Sequence, residues 1–269
     1  MMKSRIITVL CAIVMILMIV PTVSAATLEV SNTTKTALAK MIQSADSTLA
    51  KKITTNFDDL MSIQKDNEKW DELIKTLDNN NDEDLSAIKK QIKLINADKL
   101  SKLQAQLDQA KEKLKPLNTL SKSLNGQLAT AKKLKNKNLT TLLQIQSESV
   151  KIAIEFAKAD INNKEKILKA AKDETTQKVQ SIRNTLTGID PIEAQIKTKK
   201  TAISDLNKQV SAEWSSFLQT VKKGTPKTTL ESLASLVSLS RKINDHKKTI
   251  HQSEKQINSL ILKAKSQIP

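Results

Sequence analysis

Leu100, Leu107, Leu114 and Leu128 fall in one seven-residue register, and Leu103, Ala110, Leu117, Leu124 and Ala131 fill the alternate positions. A sustained seven-residue apolar repeat marks a helix that packs along its length against another helix. Ser121 is the one polar interruption. A second register holds Ile196, Ile203, Val210 and Phe217, with Leu206 between. A third holds Leu236, Ile243, Ile250, Ile257 and Ala264, with Leu233 and Ile261 between. Three such seams leave little room for anything but an all-α bundle. Composition agrees: 3 Gly, 5 Pro, no Tyr, 3 Phe and 2 Trp in 269 residues. Sandwiches, barrels and doubly wound sheets need more turn glycine and more aromatic or β-branched residues.

The breaks between helices have local causes. Asn79-Asn80-Asn81-Asp82 is a run of poor helix formers, with Asp82 placed to cap the helix that follows. Thr187-Gly188 closes a helix, and Asp190-Pro191-Ile192-Glu193 has the pattern of a capped start. Lys223-Gly224-Thr225-Pro226 is a further break, with Thr228 and Glu231 as a second capping pair. Between the second and third helices the candidates are Pro116, Asn125-Gly126 and Asn136-Lys137-Asn138. The leucine register runs through Pro116, so that residue reads as a kink and the turn falls near 135–138. The pattern predicts five helices, near 33–78, 83–134, 139–187, 191–222 and 227–266, forming one elongated antiparallel domain over 26–269.

The first 25 residues read as a secretory signal peptide. Lys3 and Arg5 precede the apolar run Ile6–Val20, Pro21 breaks it, and small residues allow cleavage near Ala25 or Ala26. Cys11 lies inside the run rather than behind small residues at its end, which argues against lipidation. Cleavage removes the chain's one cysteine, so the exported protein has neither disulfide nor thiolate chemistry. A content of 41 Lys against 3 Arg suits an AT-rich bacterial genome. The expected location is extracellular or at the cell envelope.

Charge is unevenly spread. The formal net charge is +16, yet residues 58–84 hold ten acids and three lysines. An up-and-down bundle puts that acidic segment at one end. It puts two basic turns at the other: Lys132, Lys133, Lys135 and Lys137, and Lys222, Lys223 and Lys227. These seven lysines are the candidate contact with an anionic membrane surface or wall polymer. Nucleic acid is not an expected partner. Three arginines offer little for base edges, and sparse aromatics offer little for stacking.

Nothing in the sequence assembles catalysis. His246 and His251 are five apart, off the three-or-four spacing that puts two ligands on one helix face. Asp78-x-Asn80-x-Asp82-x-Asp84 imitates the start of a calcium loop, but Glu83 stands where glycine is required and Lys89 where the bidentate Glu belongs. No phosphate-cradling glycine loop, nucleophile elbow or HExxH motif occurs. No metal and no cofactor is expected. Trp70, Trp214, Phe57, Phe156 and Phe217 read as core aromatics, with Trp214 and Phe217 on one face.

Two functions follow. The first is a secreted, non-enzymatic helical bundle that binds a protein or an anionic polymer or membrane surface, with self-association through the Leu100–Ala131 seam as a further possibility. The second is a component of a membrane-active toxin. A bundle of very long helices behind an export signal resembles, in architecture, the alpha-helical pore-forming toxins of bacilli and enterobacteria. Those proteins carry a distinct apolar hairpin or tongue. Here the most apolar stretches after the signal, 230–239 and 152–157, both contain Ser or Glu.

Overall fold

The computed structural model describes Leu28 and residues 30–269. Residues 1–25, read from sequence as an export signal, with the expected cleavage position and Cys11, lie outside the described residues. Six helices account for nearly all of the rest: α1 Asn32–Ser44, α2 Ser47–Leu94, α3 Ala97–Lys133, α4 Lys137–Leu186, α5 Asp190–Lys223 and α6 Pro226–Lys265. No strand occurs among the described residues.

Six helices replace the expected five, and the correction lies in the first hundred residues. Asn79-Asn80-Asn81-Asp82 does not break the chain; α2 runs through it for 48 residues, and Asp82 lies inside the helix rather than at its start. The real breaks flank it. Asp46 begins α2 by accepting from the Leu49 amide at 2.9 Å. At the other end, Ile95 and left-handed Asn96 (φ 57°) turn the chain into α3. The turns expected near 136, 188 and 224 are present, and Pro116 lies inside α3. At the last turn Thr228 lies within α6 and donates to Thr225 Oγ1, so the helix starts two residues before the expected cap.

The chain divides into two compact units that share three helices. The first comprises residues up to Asp71 with Lys199–Lys247: α1, the start of α2, the end of α5 and the start of α6. Its interior holds Ile53, Leu60, Ile203, Val210, Phe217, Leu233, Leu236 and Ile243. The second comprises Glu72–Thr198 with Lys248–Pro269. Its interior includes Ile88, Ile182, Ile196, Ile250, Ile257 and Ile261. Burying each such side chain stabilises the fold by about 1.5–3 kcal/mol. The second and third registers thus point inward wherever they run.

Within each unit α2 and α6 run parallel. Asp59 meets Arg241, Asn67 meets Ser240, Asp71 meets Lys247, and Asn81 meets Glu254 and Asn258, so partners stay 173 to 182 positions apart. Most polar residues in these seams are matched across them, whereas Asn67 Oδ1 is buried without a hydrogen-bond partner. In the first unit the Lys247 ammonium is fully buried, donating to Asp71 Oδ2 at 2.7 Å and to the Asn67 carbonyl at 3.1 Å. In the second, buried Asn81 donates to the Glu254 carbonyl and to Glu254 Oε2, both at 3.0 Å, and accepts from Asn258 at 3.1 Å. This lattice explains why Asn81, the buried member of the asparagine run, stays helical. A partner across the seam satisfies the side-chain amide, which overrides weak intrinsic propensity.

Candidate functional site

The α3–α4 hairpin belongs wholly to the second unit. Its strands of contact are antiparallel: Asn96 to Thr175, Lys99 to Glu174, and Asn125 to Ser147, with separations closing from 79 to 22 positions. The leucine register of α3 fills its core. Leu107 and Ala110 pack with Ile161 and Leu168 of α4, beside Leu100, Leu103 and Leu114. Further out, Leu124 and Ala131 pack with Leu143, beside Leu128 and Val150. The seam is therefore covered by α4 of the same chain.

The hairpin ends in a turn of defined geometry. The Asn136 amide bonds to the Ala131 carbonyl at 3.2 Å, and the Lys135 amide to the Lys132 carbonyl at 3.2 Å. Lys135 sits between them in the left-handed conformation, φ 53°. This is the Schellman closure, with lysine where glycine is usual. Asn136 then caps α4 by accepting from the Leu139 amide at 3.1 Å. The other basic turn closes in the same way: Thr225 bonds to the Thr220 carbonyl, and Gly224 takes the left-handed place at φ 66°.

Lys132, Lys133, Lys135, Lys137, Lys222, Lys223 and Lys227 are all exposed. None has an ion pair among the described residues. Lys132 and Lys133 end α3, where the helix dipole favours a cation. Lys137 opens α4, where it does not. The two groups lie in different units, Lys132–Lys137 in the second and Lys222–Lys227 in the first. The acidic segment 58–84 lies along α2 and contains no turn, so it forms no acidic end of a hairpin.

Sequence reasoning missed the apolar half of this site. Leu134 at the tip is 71% exposed, Ile145 62% and Phe156 73%, with Leu139, Leu142 and Ile152 also exposed. Phe156 is thus a surface residue, whereas Phe217 is buried and stacks on Trp214 with centroids 5.0 Å apart. At 100° per residue, Leu142, Ile145, Ile152 and Phe156 occupy about 80° of the α4 surface, away from buried Leu143, Ser147 and Ile161. The helix has two apolar seams, and α3 fills one. A sequence signal marks the region. No Asp or Glu occurs between Glu112 and Glu148, while Lys113, Lys115, Lys122, Lys132, Lys133, Lys135 and Lys137 do.

Elsewhere the structure offers little chemistry. No group of three His, Cys, Asp or Glu is placed to hold a metal among the described residues. His246 and His251 are half-buried on α6. Burial favours their neutral forms, helped by Lys199 beside His246 and Lys255 beside His251. The calcium-like residues Asp78 and Asp82 are helical and lie near Glu193 and Asp190. Partial burial, then Asp190 and the α2 carboxylates, push the Glu193 carboxyl above its ordinary range, with Lys89 acting against them. The concavity at the hairpin tip is lined by Lys132, Lys135, Lys137, Thr140 and Thr141. No family model, no curated protein and no solved structure matches the chain.

Proposed function

We propose that this chain is an exported, non-enzymatic helical protein that works by binding an anionic surface at the cell envelope, through the distal part of the α3–α4 hairpin. One observation carries the reading: residues 113–147 contain seven lysines and no acid. Over most of a protein surface, acids interleave with bases and cancel the field. Here they do not, and each lysine near an anionic surface contributes about 1 kcal/mol. Export rests on residues 1–25, whose basic start, short apolar run and small-residue exit have the form of a signal peptide.

The test is binding of the processed protein to anionic vesicles and to a dextran sulfate resin, at low and high salt. Retention on both that falls as salt rises is the expected result. Neutral vesicles should retain little. Equal retention on neutral and anionic vesicles, or none on any surface, would end this reading.

A membrane-permeabilising role is the second reading, favoured by the exposed apolar seam of α4. No helix among the described residues is long and apolar enough to cross a membrane. Entry would need an amphipathic arrangement of several helices. Release of a trapped dye from the same vesicles separates this role from docking alone.

A further inference from the structure

We infer that the anionic surface is a phospholipid bilayer, and that Leu134, Leu139, Leu142 and Ile145 enter its headgroup boundary while Lys132, Lys133, Lys135 and Lys137 lie among the phosphates. The inference rests on the anionic-surface reading and goes past it, because charge alone does not choose between a lipid and a polymer. The leucines choose. Leu134 stands at the apex of the turn, 71% exposed, with a lysine on either side of it. Leu139 and Leu142 follow on the first turns of α4, exposed at 40% and 53%, and Ile145 at 62% continues the face. A wall polymer supplies phosphate but no hydrocarbon, and would leave these side chains in water. A bilayer supplies both within a few ångströms of depth, the setting in which lysine stems run along apolar surface toward the phosphates.

The other occupants fit less well. A second copy of the chain meeting this one hairpin to hairpin would bring seven lysines against seven with no carboxylate between Glu112 and Glu148 to meet them. Higher on α4 the face is bordered by Glu155 and by Glu148, which pairs with Lys151 at 2.7 Å, so the unbroken run of positive charge ends there and Glu155 repels an anionic membrane. The contact therefore ends near Ile145, and Ile152 and Phe156 stay outside it.

The cysteine-free processed chain makes the test direct. An environment-sensitive dye is attached to cysteine in the Leu134→Cys variant and, as a reference, in Ser259→Cys at an exposed position of α6. With phosphatidylglycerol vesicles the dye at 134 should shift to the blue and become shielded from an aqueous quencher, while the dye at 259 should not. The variant Leu134→Ser/Leu142→Ser should bind those vesicles at least about tenfold more weakly and keep its affinity for dextran sulfate. Both side chains are exposed, so folding is retained, and far-UV circular dichroism checks it. Vesicle binding with no change at 134 and no loss in the double variant overturns the inference and leaves the anionic-surface reading standing. Failure to bind either vesicles or dextran sulfate overturns both. Binding to an acidic protein with no vesicle binding also overturns it, in favour of a protein partner.

Discussion

Lys135 holds a backbone conformation that Gly224 adopts freely at the equivalent point of the other basic turn. For a residue with a Cβ that conformation costs about 1–2 kcal/mol. Lys135→Gly should therefore stabilise the protein by about 0.5–1 kcal/mol, read as a rise in the urea midpoint. The same change removes a tip charge, so affinity for anionic vesicles should fall as stability rises. If the two move together, Lys135 is not being kept for binding. At Lys247 burial pulls the ammonium below the ordinary lysine range, and Asp71 acts against that pull. With a lowered folded pKa, the unfolded chain holds the proton more tightly. The contribution of Lys247 to stability should then rise with pH as the ordinary lysine value is approached, a dependence lost in Lys247→Met. Asp71→Asn leaves the buried ammonium without its counter-charge and should cost about 3 kcal/mol, whereas Lys247→Met should be near neutral. Equal losses in the two variants would contradict a desolvated pair.

At the scale of elements, the registers were legible and one break was misread. A seven-residue repeat depends only on spacing, and the buried positions of α3, α5 and α6 fall where spacing puts them. The asparagine run depends on a partner 173 positions away, which no local pattern contains. The turn at Asn96 is marked by a single left-handed asparagine, and the start of α2 by a single Asp46 cap, both weak against a continuing apolar pattern. Asn81→Ala removes a buried donor to Glu254 and should cost about 1–3 kcal/mol. A double-mutant cycle with Glu254→Gln should show coupling between the two; independent losses would mean that the asparagine is merely tolerated. In α3, Gly126 has open space around its missing side chain. Gly126→Ala should stabilise by about 0.5–1 kcal/mol through helix propensity alone.

For the molecule as a whole, the sequence shows where charge lies and the structure shows what stands beside it. Both lysine groups were readable from composition. Only the packing shows that the group at 132–137 surrounds an exposed Leu134. Spacing predicts that α4 has apolar residues, but which of its faces α3 covers is a three-dimensional fact. Replacing Lys132, Lys133, Lys135 and Lys137 by Gln should remove most of the salt-sensitive vesicle binding. Replacing Lys222, Lys223 and Lys227 should remove much less. Co-sedimentation at two salt concentrations compares them, and equal losses would place the contact on general charge rather than on the hairpin tip.

The parallel pairing of α2 with α6 also governs when the chain can fold. The α3–α4 hairpin joins residues that leave the ribosome close together, and it can form early. The asparagine and lysine layers join segments more than 170 residues apart, so Asn67, Asp71 and Asn81 of α2 stay unmatched until the last helix is being made. Truncation before Lys247 would thus remove the partners of Asp71 and Asn81 together, leaving a chain with an intact hairpin and no completed frame to carry it.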